Sequence, residues 1–573
     1  MAVNRLQISA DGVIESPLSV PIPPTDLFSY IVSSGTAISR KSPQYFDATS
    51  PSSNYTLEDA ELLAKRFGRG LQSMGLQKQQ KVLLYSGNDL FFPVVLWGVT
   101  AAGGVFTGAS PTASAHELEY QLRDSEATIL ISSVEGLEVA VEAANKVGLP
   151  TDRVLVLRNM GPQQGQESPI RPWTIIWASP NEARSWTWEK ITTKEEAMAT
   201  TAVINYSSGT TGLPKGVELT HYNILANAEQ IIAKRLLMAD TSPGRARRER
   251  LDTSSERWLA AVPMYHAFGQ SYFCVIAPRL GAKVFIMPKF NLLQYLTFVD
   301  IYRVTFINVV PAMLVMLCKA ENPGRFNFKA IDSMTSGASP LDPATAARFQ
   351  QLYLREGVLV KQGWGMTETT SNLTGFALDD EDDGRSIGWL SPNCKARIVP
   401  VEGRQFEGAA KGRVLGELWV AGPNITKGYW KREEETKGAF VEEGGERWLR
   451  TGDIAYVDER GCFYIVDRIK DLIKVNGLQV SPAELEKGLM AHEGVVDAAV
   501  VSFKKEGDRE FPRAFVVRKN LSVTAEQLYT FTKERFARYK WLTGGIFFIE
   551  RIPRTASGKV IRRQLPNPKE SRL

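Results

Sequence analysis

Residues Tyr206–Val217 read YSSGTTGLPKGV. The small residues and the glycines Gly209 and Gly212 allow a backbone to approach a polyphosphate closely. Ser207, Ser208, Thr210 and Thr211 add hydroxyl donors, and Lys215 adds a mobile positive charge. A Walker loop needs Gly directly before its lysine and Ser or Thr directly after it. Lys215 lies between Pro214 and Gly216, so the P-loop NTPase reading fails. The bland alternative is a Ser/Thr/Gly-rich turn, but a flexible linker rarely carries Tyr, Pro and Lys in this order.

On either side of this stretch, helical and strand patterns alternate. Leu57–Met74 has helical spacing and stops at Gly75, and KVLLY at Lys81–Tyr85 is a short apolar strand. Thr128–Ser132, Arg153–Leu157, Lys283–Met287, Thr305–Val310 and Leu359–Gln362 repeat that strand pattern. Apolar strands separated by helices imply parallel sheets covered on both faces. Beyond about Gly412 the segments are β-rich, and after Asp467 a smaller α+β unit follows. It contains a helix over Pro482–Met490, strands near Val495–Phe503 and Ala514–Arg518, and a helix over Ala525–Tyr539. The expected fold is α/β: a large multi-subdomain body over 1–467, with parallel sheets flanked by helices, and a small mobile α+β domain over 468–573. The chain has 573 residues, too many for one compact core.

Composition excludes several functions. The four cysteines (274, 318, 394, 462) form no CxxC pair, and the four histidines (116, 221, 266, 492) have no zinc-site spacing. Any metal should therefore be a hard cation held by carboxylate and phosphate oxygens. The net charge of +5 is small against 68 basic and 63 acidic residues and points to neither nucleic acid nor membrane. The N-terminal MAVNRLQISADGV lacks the apolar core of a signal peptide. Leu90–Ala115 has no charged residue and is long enough to span a bilayer, but Pro93, Gly98, Gly103 and Gly104 interrupt it. It reads as a buried helix over about Phe91–Ala102, a Gly-Gly turn and a buried strand. The Arg-rich insertion Ala239–Glu256 reads as a solvated surface loop rather than a nucleic-acid or membrane contact.

Further segments follow in order: PMYHAFG (263–269), SGASPL (336–341), QGWGMTE (362–368), GELWVAGPNITKGYW (416–430), RTGD (450–453), IVDRIKDLIKVNGLQVSPAELE (465–486) and IPRTASGKVIRR (552–563). Together with the phosphate-loop stretch this set resembles the adenylate-forming superfamily of acyl- and aryl-CoA ligases, luciferases and adenylation domains. The wording is most similar to 4-coumarate–CoA-ligase-like enzymes. The resemblance implies ATP, Mg²⁺ and CoA as cofactors and a small carboxylic acid as substrate. The acid is activated as acyl-AMP with loss of pyrophosphate, then transferred to CoA. Two anions must be brought together in the first step, so cations, a metal and oriented donors are needed at the site.

The resemblance places Thr367 at the α-phosphate, Glu368 on the metal, and Trp364, Gly337 and Ala338 around adenine, with Gln362 and Gly363 beside them. It places Asp453 on the ribose hydroxyls and Arg468 as a second nucleotide contact. Lys559 would bridge carboxylate and adenylate in the first step. Lys470 matches the hinge, Lys474 and Gln479 the thioester-forming pose, and Gly477 leaves room for a pantetheine arm. His266 would gate the passage between carboxylate pocket and thiol tunnel. The acyl pocket would be lined by Tyr265, His266, Phe268, Gly337 and Gly363, with Thr369, Thr370, Ser371 and Asn372 forming a more polar wall than in hydroxycinnamate ligases.

Ser571-Arg572-Leu573 is a variant of the SKL address, implying a peroxisomal import receptor as partner and the peroxisome as location, with the cytoplasm as alternative. A stand-alone enzyme that loads a carrier protein, and a non-catalytic acyl or nucleotide binder, are the competing functions. The acid itself stays open.

Overall fold

The computed structural model describes residues 7–9, 12–35, 37–158, 170–207, 213–401, 414–475, 478–504, 510–555 and 560–566, without the side chains of 37, 38, 478, 479 and 563.

Three large sheets precede residue 470. The first runs in spatial order Gly428–Tyr429, Lys215–Thr220, Thr201–Ser207, Val105–Ala109, Lys81–Tyr85, Ala127–Ser133, Val154–Leu157 and Arg171–Pro172. It is parallel from Thr201–Ser207 onward and antiparallel at the other edge. The second runs Val360–Gln362, Ser333–Ser336, Phe306–Val309, Arg257–Ala260, Lys283–Ile286, Pro43–Asp47 and Asn54–Thr56, parallel except at the last pairing. The third is antiparallel and includes Lys395–Val399, Gly416–Ala421, Glu446–Val457 and Phe463–Arg468. It accounts for the change of pattern beyond Gly412.

Local signals explain the elements that position these sheets. Thr56 caps the helix Leu57–Ser73 and Asp59 returns the bond, closing a capping box. The apolar stretch after Leu90 folds as the buried helix Phe92–Ala101 and the strand Val105–Ala109. Gly98 is there because two helices touch: a Cβ on it would lie 2.6 Å from the Phe67 ring, and one on Gly68 would lie 2.8 Å from the Gly98 carbonyl. Among the described residues no helix is long and apolar enough to cross a membrane.

After residue 470 a separate apolar core gathers Ile473, Val480, Leu485, Leu489, Val500, Val516 and Leu528. It lies among the strands Val495–Lys504, Glu510–Arg518 and Ile546–Phe548 and the helices Pro482–Met490 and Ala525–Lys533. The last helix is shorter than the expected Ala525–Tyr539. The chain turns after Lys533 so that the Phe536 ring packs against Gly488, and the Phe536 carbonyl accepts from Trp541 Nε1 at 3.0 Å.

The insertion 239–256 is not a solvated loop. It holds the helix Ser242–Asp252, capped by Thr241, and two of its arginines, Arg247 and Arg250, turn toward the body while Arg245 and Arg248 stay at the surface with Asp240. Arg247 is buried, with Nε 3.3 Å from Asp332 and an NH1 bond of 2.7 Å to Asp379. Arg250 pairs with Glu256 at 3.3 Å and also with Asp332. Polar composition misled here because the partners lie about eighty and one hundred and thirty residues downstream. Arg247→Ala leaves Asp332 with one guanidinium and buries part of its charge unpaired. The expected cost is about 3 kcal/mol, checked by the urea midpoint of the variant against the native chain.

Candidate active site

The site grows from the carboxyl ends of two adjacent parallel strands, where open α/β sheets commonly place ligands. Gly337 N–H donates to the Val309 carbonyl at 3.2 Å and Gly363 N–H to the Ser336 carbonyl at 3.0 Å, so the two glycines finish neighbouring strands. A Cβ on Gly363 would stand 2.9 Å from Asn372 Nδ2, so a side chain there would displace that amide. Ala338 has φ +72°, a left-handed conformation that costs a non-glycine residue about 1 kcal/mol and that clusters at functional sites. Gln362 uses its side chain as a brace, accepting from Leu341 N–H and donating to the Gly384 carbonyl, each at 2.9 Å.

Two buried carboxylates flank the segment that follows. Asp453 accepts from Trp364 Nε1 at 2.9 Å and from Arg468 Nε at 3.0 Å. Its backbone is set by a tight turn in which Thr451 Oγ1 donates to the Leu418 carbonyl at 2.7 Å and accepts from Asp453 N–H at 3.1 Å. Asp453 holds the Arg468 guanidinium firmly charged, with smaller help from Asp471 and Glu368, so Arg468 feels both carboxylates. Three residues from three separate motifs thereby meet: Trp364, Asp453 and Arg468.

The second carboxylate, Glu368, accepts from the Tyr429 hydroxyl at 2.9 Å. Burial, and then the Glu368 charge, push the Tyr429 phenol well above its usual range, so it remains a donor. Lys215 Nζ lies 5.0 Å from the centre of the Tyr429 ring. One segment ties these groups together. Thr426 N–H donates to the Glu368 carbonyl at 2.8 Å, and Asn424 Nδ2 to the Thr369 carbonyl at 2.9 Å. Gly428–Tyr429 pairs in turn with Val217 and Glu218 on the strand that carries Lys215. Tyr429 lies inside the KGYW run and was not singled out from sequence; its link to Glu368 spans 61 residues. The Thr367 hydroxyl makes no hydrogen bond among the described residues.

Glu368 supplies one hard oxygen with no competing hydrogen bond, and no group of three or more His, Cys, Asp or Glu suited to a metal occurs among the described residues. A lone carboxylate suits Mg²⁺, which keeps waters and takes phosphate oxygens as its remaining ligands. The chemistry of this donor set therefore fits that ion.

The polar wall expected from Thr369–Asn372 is not presented as such. Thr369 is fully buried and its hydroxyl contacts the Met366 backbone and donates to the Ser371 carbonyl. Thr370 Oγ1 donates to the Asn424 carbonyl at 2.7 Å. These hydroxyls stabilise a turn, in which Thr370 has φ +68°, rather than face a substrate. Asn372 alone of the four points its amide toward Gly363.

Tyr265, His266 and Phe268 come together at the start of a π-helical stretch, Gln270–Ile276. The His266 ring packs 4.5 Å from Tyr265, and the Phe268 ring lies 3.6 Å from where Gly337 would carry a Cβ. The surrounding protein disfavours the imidazolium and lowers the His266 pKa to about 4. A lowered value means that the proton is gained only well below pH 6, so the ring is neutral throughout the neutral range. His266→Gln should therefore reduce turnover by a constant factor from pH 5.5 to 8. Profiles of native and variant chains should superimpose after scaling.

Toward the C-terminal unit, Asp467 joins the two cores. Its carboxylate accepts from the Ser481 hydroxyl, from Ala483 N–H at 3.3 Å and from Arg468 N–H at 2.7 Å. Burial nonetheless raises its pKa to about 6. Lys470 is exposed two residues beyond Arg468. Lys474 is exposed and is the direct register partner of Gln479 in the ribbon Ile473–Val475/Leu478–Val480. Ser208, Gly209, Thr210, Thr211, Gly212, Gly477, Lys559, Ser571, Arg572 and Leu573 lie outside the described residues, whereas Ser207 ends the strand Thr201–Ser207 opposite Lys215.

Residues 38–430 match the AMP-binding enzyme family, and residues 484–559 match the AMP-binding enzyme C-terminal domain. The chain belongs to the AMP-binding enzyme family. Among the relatives of this AMP-binding enzyme is a phenylacetyl-CoA ligase of Aspergillus niger, 34% identical over 97% of this chain and 99% of the relative. A peroxisomal OPC-8:0-CoA ligase of Arabidopsis thaliana is 30% identical over 95% of this chain and 94% of its own length. Among solved structures, ATP-bound MatB from Rhodopseudomonas palustris superposes with a TM-score of 0.76 at 25% identity, over 94% of this chain and 97% of that one. The α/β body and the small C-terminal α+β unit thus have the fold of these solved enzymes.

Proposed function

We infer that this AMP-binding enzyme is an AMP-forming acid–CoA ligase. It joins a carboxylate to the α-phosphate of ATP, releases pyrophosphate, and passes the acyl group to the CoA thiol. The observation that carries this reading is the convergence of Trp364, Asp453 and Arg468 on one side of the Gln362–Glu368 segment, with Glu368, Tyr429 and Lys215 on the other. The first group suits a nucleoside: an indole face beside a carboxylate able to accept from ribose hydroxyls. The second suits a polyphosphate and its cation.

In the first step the acid and the α-phosphate, both anionic, must approach. Lys215 and the Thr367 hydroxyl offset phosphate charge from the protein side, and Lys559 takes the same part for the reacting oxygens. Mg²⁺ held by Glu368 supplies further charge neutralisation on the phosphates. Groups held in place before the reaction lower such a barrier without reorganising during it. The second step needs different groups around the same intermediate, which rotation of the unit over 468–573 about Lys470 would bring in. Lys474 and Gln479, facing each other across one ribbon, are the residues assigned to that pose.

Incubation with ATP, Mg²⁺ and a panel of acids, with and without CoA, tests the assignment. CoA-dependent AMP release and an acyl-CoA product by mass spectrometry are expected. An adenylate that CoA never accepts would favour a carrier-protein loader instead. Lys474→Ala should leave pyrophosphate exchange within about twofold and slow thioester formation by about ten- to a hundredfold, measured from preformed acyl-AMP. Peroxisomal import is supported by Ser571-Arg572-Leu573 and by the peroxisomal relative. A fluorescent fusion with and without that tripeptide tests it.

A further inference from the structure

Behind the Gly337–Gly363 strand ends lies a cavity lined by Arg235, Tyr272, Thr335, Gln362, Asn372 and Thr374, among others. It adjoins the acyl-pocket residues directly, since Phe268 meets Tyr272 edge-on at 5.3 Å and Thr335 Cγ2 lies 3.7 Å from where Gly363 would carry a Cβ. Its charge is lopsided. Lys234, Arg235 and Lys361 line it on the basic side and Asp332 on the acidic side, and Asp332 is already engaged by Arg247 and Arg250.

The two lysines are spent on backbone. Lys234 donates to the Gly375 and Trp389 carbonyls, and Lys361 to the Ala377 and Leu378 carbonyls. Arg235 is different. It is 8% exposed, its Nε has no hydrogen-bond partner, and its nearest acid, Glu256, stands 3.8 Å away. Glu256 itself is occupied by Arg250, Trp258 and Thr305. The guanidinium lies over the rings of Phe306, at 4.1 Å, and Trp258, at 5.0 Å. A basic residue in the last turn of a helix is ordinary, but a buried guanidinium with no hydrogen bond is not, because each unmet buried donor costs on the order of 1–3 kcal/mol.

A second unmet group lies in the sheet beside the cavity-lining Thr335. Asn308 is fully buried, neither of its amide atoms is hydrogen bonded, and it is the register partner of Thr335. Phe306 and Asn308 share one face of their strand, and Val309 accepts from Gly337. Moving along that strand from Gly337 leads past Asn308 to the ring that Arg235 covers.

We propose that Arg235 receives an oxygen-bearing group at the far end of the acid, so that the substrate is a carboxylic acid carrying a remote carboxylate or ketone. This rests on the acid–CoA ligase reading and names its substrate class. Gly337 follows Ser336, the register partner of Val309, and so stands level with Val310; the four rises from there back to Phe306, at about 3.3 Å each, give roughly 13 Å. At about 1.2 Å per bond of extended chain that is about ten bonds between the two ends.

Decanoate, 9-oxodecanoate and decanedioate are the probes, each assayed for acid-dependent pyrophosphate release with the native chain, Arg235→Met and Arg235→Lys. In the native chain one or both oxygen-bearing acids should exceed decanoate in kcat/KM by about tenfold or more, and Arg235→Met should reduce that ratio to about two or less. Arg235→Lys should retain part of the preference, which decides the matter if the methionine variant folds poorly. Decanoate equal to or better than both others in the native chain, or an unchanged ratio in the variants, overturns the proposal. Release with no acid at all would instead count against the ligase reading.

Discussion

Replacing Asp453 by alanine lowers kcat/KM for ATP by about a hundredfold or more, because two hydrogen bonds to a charged acceptor are each worth about 1.5–3 kcal/mol. The carboxylate is 2% exposed and is shared by Trp364 Nε1 and Arg468 Nε. Its removal frees the indole and releases the guanidinium together and, on the proposed reading, also loses the acceptor for ribose. Arg468 has 37% side-chain exposure and can turn toward water, so the stability cost is smaller, about 1–2 kcal/mol. Asp453→Asn separates the contributions. The amide oxygen can still accept from Trp364, but the charge that fixes Arg468 is gone. Initial rates at varied ATP, alongside thermal melts, measure both effects. A variant with native kcat/KM for ATP would remove the nucleotide from this side of the site.

Lys559→Ala should abolish most adenylation, by about 10² to 10³-fold, the range seen when one oriented charge-stabilising donor is lost. The expectation follows from resemblance in the IPRTASGK run. Among the described residues near it, Arg554 pairs with Val560 in an isolated bridge and Arg562 pairs with Glu486 at 3.0 Å. If Lys559 serves the first step alone, as proposed, supplying synthetic acyl-AMP and CoA should restore thioester formation to within about threefold of native. Equal loss in both half-reactions would assign Lys559 to folding or to nucleotide binding in general.

Much of the fold was legible because each element carries its own signal. Val82–Leu84 form the apolar centre of the buried strand Lys81–Tyr85, and Leu57–Ser73 has its capping residues beside it in sequence. The site was legible as motifs, and the structure adds which motifs touch. Trp364, Asp453 and Arg468 stood in three separate runs, and no local rule joins them. Tyr429 escaped notice because its meaning depends on Glu368, reached only when Gly428–Tyr429 pairs beside the Lys215 strand.

The loop reading of the insertion and the Thr369–Thr370 part of the polar wall failed for a shared reason, while Asn372 does line a cavity. Sequence shows that arginines or hydroxyls are present but not where they point. Arg247 turns inward to Asp332 and Asp379, and the Thr369 and Thr370 hydroxyls go to backbone. Arg235 is the converse: an unremarked helix-end cation that the fold leaves buried without a hydrogen bond.

The most direct measurement is exchange of labelled pyrophosphate into ATP by the purified chain with Mg²⁺ and an acid, in the absence of CoA. Acid-dependent exchange, lost in Asp453→Ala and Lys559→Ala and kept in Lys474→Ala, is the predicted result. Exchange with no acid in the panel, or exchange undiminished in the first two variants, would contradict it.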